Sequence, residues 1–148
     1  MQLPKAISLQ LMSVREWSQS TGGSREISLF DYPALVGTPD LFFGFAELFC
    51  PTLVEHHGGC FLAAKFSEPT FDLWEQKGVG IVEIQRVMNH VHVSTLLQNQ
   101  SVSDELAVQV AQHLATIWSL TLQPLGVSAE AFGERLDDAA ATLYRSVP

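Results

Sequence analysis

The sequence predicts an α+β fold of two layers, a small antiparallel sheet packed against several helices. Three observations carry this reading. Two β-compatible runs flank Gly58-Gly59, and a Gly-Gly pair tolerates the positive φ angles of a tight hairpin turn. Ser101 to Leu122 has helical periodicity with a serine cap and Asp104 and Glu105 in its first turn. The apolar fraction is 47% and the charged fraction 16% in a chain of 148 residues, enough to bury a core without a disulfide or a metal. The length and the lack of repeats predict a single domain over residues 1–148.

The elements follow in order. Ile7, Leu9 and Leu11 alternate as in a strand, although the same stretch suits a helix running to Trp17. Ser18 to Ser24 reads as a linker, and Glu26 to Phe30 as a short strand. Thr38-Pro39-Asp40 is a helix start, and the helix should stop before Pro51. Its apolar residues Leu41, Phe42, Phe43, Phe45, Leu48 and Phe49 surround the axis, so it is expected to be buried on most sides or to form an interface. Ser67 should cap a helix from Glu68 to Lys77 that turns Phe71 and Trp74 inward. Gly80 to Met88 reads as a helix, with a break near Asn89 and an extended piece through Val93. In the long helix, Leu106, Val110, Leu114, Ile117 and Thr121 trace the expected stripe, with Ala107 and Trp118 beside it. Beyond Pro124 two readings remain. Phe132, Leu136, Ala139 and Leu143 have helical spacing, which slightly favours a helix, while VSAEAFG and AAATLYRSV suit two strands around Glu134–Asp138.

Charge and composition exclude several functions. Net charge is −8 and the eight Lys and Arg residues are scattered, so neither nucleic acid nor an anionic membrane surface is an expected partner. The start of the chain has no signal-peptide pattern, and no run approaches the ~20 apolar residues of a membrane span. Two cysteines, Cys50 and Cys60, with no Cys-x-x-Cys pair suit a reducing, cytoplasmic setting. Phosphate-loop, dinucleotide and serine-hydrolase motifs are absent from the sequence.

Two constellations could carry chemistry. A turn at Gly58-Gly59 would set His57 opposite Cys60 with Glu55 on the same face, the order of an activated thiol nucleophile. The same face holds Leu53, Leu62, Ala64 and Phe66, which suits a core, with Cys60 as a small buried hydrophobe. The second constellation is histidine. His56-His57 and His90-Val91-His92 hold four of the five histidines, and His90 and His92 would share a strand face. Zinc needs three or four ligands, which Glu55, His57 or Cys60 could complete only if the two segments converge. No spacing requires this, so no cofactor is predicted and the metal question stays open.

The composition favours a non-catalytic protein-binding or regulatory module, an adaptor or an immunity-type inhibitor. It would engage a protein partner or a second copy, with Phe42 and Phe45 as interface candidates. The alternatives are a small-molecule or metal-binding domain at Glu55, His57, Cys60, His90 and His92, and an enzyme using Cys60 and His57.

Overall fold

The computed structural model describes residues 37–98 and 101–146. The expected strands at Ile7–Leu11 and Glu26–Phe30 and the linker at Ser18–Ser24 lie outside these residues. The chain divides after Gly44 into two compact units. In the first, the described residues open helix α1, Pro39–Phe49. Thr38 starts it as the sequence predicts: its Oγ1 accepts the Leu41 N–H at 3.2 Å and its carbonyl the Phe42 N–H at 3.0 Å. Phe42 and Phe43 meet edge to face with ring centroids 5.9 Å apart.

The second unit is mixed α+β, with two small antiparallel sheets. The first sheet is the hairpin of β1, Leu53–His56, and β2, Gly59–Leu62. Helices α2, Glu68–Gln76, and α3, Ile81–Met88, follow. Then come a short strand β3, Val91–His92, and a single turn α4, Val93–Leu96. The long helix α5 spans Asp104–Leu122, and β4, Val127–Phe132, and β5, Ala140–Arg145, complete the fold. The second sheet has strand order β3-β5-β4.

The hairpin turns one residue earlier than expected. His56 pairs with Gly59 and Glu55 with Cys60, so the turn residues are His57 and Gly58. Their φ angles of 49° and 78° are those of a type I′ turn. Gly59 is needed for a different reason. A Cβ there would lie 2.9 Å from Ile81 Cδ1 and from the Phe61 ring, so its place in the strand reflects a close approach by α3.

Residues 127–145 form the hairpin, not the helix that spacing slightly favoured. Val127, Ala129 and Ala131 of β4 and Ala141 and Leu143 of β5 alternate along their strands and pack in the cluster that contains Leu114 and Trp118 of α5. The connection is tied by Asp138, whose carboxylate accepts the Arg135 and Glu134 N–H groups at 2.7 and 2.9 Å. These backbone donors, Arg135 first, hold its carboxyl below the usual range.

Helices pack against the strands on both faces. On one face Cys60, Leu62, Ala141 and Leu143 pack with Leu114, Ala115, Trp118 and Leu122 of α5. On the other, Phe61 packs with Phe71, Ile84 and Met88 of α2 and α3. All four residues of β2 are therefore buried. The buried stripe of α5 is Ala107, Ala111, Leu114, Ala115, Trp118 and Leu122, rotated from the expected one. Alanines let the helix lie close to the strands, and Leu106, Val110 and Ile117 stay half-buried at its flanks. Ser103 caps this helix through Oγ to the Leu106 N–H, as expected. Ser67 occupies the expected cap position of α2 without a side-chain cap bond.

The two sheets meet across a seam of side-chain amides. Gln85 and Asn89 lie one helical turn apart on the inward side of α3, and both are 0% exposed. Gln85 Oε1 accepts the N–H of Cys60 at 2.8 Å and of Arg145 at 2.9 Å, and Nε2 donates to the Arg145 carbonyl at 3.1 Å. Asn89 Oδ1 accepts the Leu62 N–H at 2.9 Å. Its Nδ2 donates to the carbonyls of Cys60 at 2.8 Å and Leu143 at 2.9 Å. Two buried amides thus take the place of a β2–β5 ladder. Thr142 adds a third tie, donating from Oγ1 to the Arg86 carbonyl at 2.8 Å. Buried backbone groups need partners, and these residues supply them where strand pairing stops.

Candidate functional site

Each sequence-predicted residue has a definite place. Cys60 is buried in the α5-facing cluster, with Trp118 and Leu114 in the same group. Glu55 is its cross-strand neighbour and reaches outward, where its Oε1 accepts from Arg145 Nη1 at 2.7 Å. Burial pushes the Cys60 thiol up, partly countered by Arg145 and reinforced by Glu55. A thiol held neutral is a poor nucleophile at neutral pH.

His57 does not stand beside Cys60, because the shifted turn takes it out of the strand. Its Nδ1 lies 3.0 Å from Glu75 Oε1 of α2, and its ring lies edge to face with Phe71 at 5.1 Å. Phe71 belongs to the cluster on the opposite face of the hairpin from the Cys60 cluster. The expected Cys60–His57–Glu55 surface is therefore replaced by two separate pairs, Glu55–Arg145 and His57–Glu75. A one-residue shift in register moves side chains to other faces, which is the physical reason for the difference. His56 stacks on His57 with centroids 4.3 Å apart, and its Nε2 is buried without a hydrogen-bond partner among the described residues.

The second histidine pair brackets the start of the second sheet. His90 and His92 flank Val91 at the start of β3, and their rings meet edge to face at 4.8 Å. His90 Nδ1 bonds to the Val87 carbonyl, and Lys65 Nζ donates to the His90 carbonyl. Burial lowers the His90 pKa; the Val87 bond opposes this, and the charges of Lys65 and His92 add to the lowering. Burial also lowers that of Lys65. His92 Nδ1 is buried without a partner among the described residues.

Among the described residues, no group of three or more His, Cys, Asp or Glu side chains is placed to hold a metal ion. The HHGGC and NHVHV segments therefore do not join into a first coordination shell there. Both cysteines are free, Cys50 exposed and Cys60 buried.

The two interface candidates are on α1, which has no buried residue. Phe42 and Phe43 are each 69% exposed, and Leu41, Phe45 and Phe49 are also exposed. The helix was expected to be buried or to form an interface; its side chains are exposed except Leu48, which is half-buried and packs against the cluster of Cys60 and Trp118. Phe45 and Phe49 stack on each other with centroids 5.6 Å apart. At the end of the helix, the Leu48 carbonyl accepts from Trp118 Nε1 at 2.7 Å.

Gln85 and Asn89 escaped the sequence reading. Their signal was present: two amides at i and i+4 among Ile81, Ile84 and Met88, on a helix face that should be apolar. Lys65 escaped too, because nothing in its neighbourhood along the chain points to NHVHV.

The chain matches no protein-family model, no curated protein and no solved structure. Among the described residues no helix is long and apolar enough to cross a membrane.

Proposed function

We propose that this chain is a non-catalytic protein-binding or regulatory module of the adaptor or immunity type, with α1 as its contact element. The observation that supports the reading is the exposure of α1. Its eleven residues, PDLFFGFAELF, include five exposed large hydrophobics and no buried residue. Such a surface costs free energy in water, roughly 25 cal/mol per Å² of apolar area, and a partner removes that cost. The charged residues of the helix are Asp40 and Glu47, both acidic, in a chain of net charge −8. A partner with a basic rim around an apolar groove complements this pattern.

The test is a photo-crosslinking residue at Phe42 together with light scattering of the purified chain. One predominant adduct is expected, either a second copy or one other protein. Its affinity, measured with both components purified, should fall at least about tenfold in the Phe42→Ser/Phe43→Ser variant, as for loss of central aromatic anchors. A variant with unchanged melting, adducts and affinity would remove α1 from the interface.

A second reading, a small-ligand domain, draws on Lys65 beside the His90–His92 pair. The Cys60–His57 enzyme reading has no such support, since its thiol is buried and its imidazole is engaged elsewhere.

A further inference from the structure

We infer that Lys65, His90 and His92 form a binding site for a small phosphate-type anion, as inorganic phosphate or as a phosphate monoester. The inference goes beyond the role of α1 and does not depend on it.

The first observation is charge. Arg86, Arg135 and Arg145 each lie within ion-pair distance of a carboxylate. Lys77 lies over the Trp74 ring at 4.8 Å. Among the described residues, no carboxylate lies within ion-pair distance of Lys65, His90 or His92. An acidic chain thus gathers three cation-forming groups at one place with no paired carboxylate.

The second observation is geometry. Lys65 follows β2, and its ammonium is held at the α3–β3 corner by the His90 carbonyl. That bond uses one of its three donors. The Val87 carbonyl accepts the Nδ1–H of His90, so Nε2 donates to an anion only when the ring is protonated. The His92 ring stands against that of His90, with Nδ1 out of water and unpartnered among the described residues. Lys65 Nζ and the two imidazole rings, carried on two segments, are therefore close neighbours. Burial first, and then the charges of Lys65 and His92, disfavour protonation of the His90 ring; the Val87 carbonyl favours it, and an arriving anion adds to that side.

The donor set selects the ligand. A carboxylate is best held by the planar fork of arginine, and this site has none. A lysine and two imidazoles approaching separately suit the three acceptor oxygens of a phosphate group, which carries about −1.5 to −2 charge at neutral pH. A metal ion is disfavoured by the adjacent ammonium and by the lack of a third ligand among the described residues.

The experiment follows the histidine ring protons of the full chain, without a histidine tag, by NMR at low ionic strength. Inorganic phosphate should give saturable shifts of His90 and His92, while sodium chloride and acetate at matched ionic strength should not. Glycerol phosphate binding more tightly than phosphate identifies the monoester, and equal or weaker binding identifies free phosphate. Lys65→Met should weaken phosphate by about tenfold, the loss of one charge-assisted hydrogen bond. Lys65 is exposed, so the variant should melt like the parent, and Lys65→Arg should retain most of the binding. The site is overturned if the shifts track ionic strength alone, if acetate binds as well as phosphate, or if a folded Lys65→Met binds phosphate like the parent.

Discussion

Gln85 lies in the C-terminal half of α3 and Asn89 caps its end, and His90 and His92 follow directly, yet the two pairs have opposite fates. The amides are fully buried, and every donor and acceptor that they present to β2 and β5 has a partner. The histidines are half-buried, and His92 keeps a nitrogen without a partner among the described residues. Polar residues of similar size, a few positions apart, thus separate into one pair whose side chains tie the strands together and one in which His92 keeps an unpartnered nitrogen among the described residues. Partnering distinguishes them, since a satisfied buried group has little left to offer and an open one does.

The sharpest way to break this contrast is substitution across it. Asn89→Leu would leave the Leu62 N–H and the Cys60 and Leu143 carbonyls buried and unpaired. At roughly 1–3 kcal/mol for each unsatisfied group, urea melts should show a loss of at least about 3 kcal/mol. His92→Leu removes no protein hydrogen bond of the unpartnered Nδ1, and should change stability by less than about 1 kcal/mol. Equal losses would show that the amides are not a structural seam.

A pH titration gives a smaller effect. The folded His90 pKa lies below its ordinary value of 6.5, through burial first and the charges of Lys65 and His92 after it. The unfolded chain therefore binds more protons just below pH 6.5, so stability should fall as pH drops from 6.5 to the lowered pKa and then level off. His90→Asn should flatten that slope in thermal melts without added phosphate, and an unchanged slope would assign it to another group.

The smallest effect is expected at the surface pair across the seam's outer end. Glu55 is mostly exposed, so Glu55→Gln should cost less than about 1 kcal/mol despite its 2.7 Å bond to Arg145. A larger loss would mean that this pair, with the amides, closes the gap between β2 and β5.

The same contrast explains what could be read from the sequence. Thr38-Pro39, Ser103 and the long helix were legible because caps and helical spacing act locally. The hairpin was legible too, but its register was not. HHGGC offers two dipeptide turns, and the register places Gly59 in the strand, where Ile81, distant along the chain, and Phe61, two residues on, leave no room for a Cβ. The β4–β5 hairpin was ambiguous because alanine-rich runs satisfy both periods until α5 selects one face. Histidines were visible as candidates by type alone. Gln85, Asn89 and Lys65 were not, because their meaning comes from backbone atoms 25 to 60 positions away.

The amide seam also has a kinetic signature. By strand order alone, the outward N–H groups of β2 belong to the edge of a two-stranded sheet and should exchange with deuterium within the time of local fraying. Because Cys60, Leu62 and Arg145 donate to the side chains of one helix, they can exchange only when α3 lifts away. The three amides should therefore share one slow opening rate, which couples both sheets into a single cooperative unit through two residues that belong to neither.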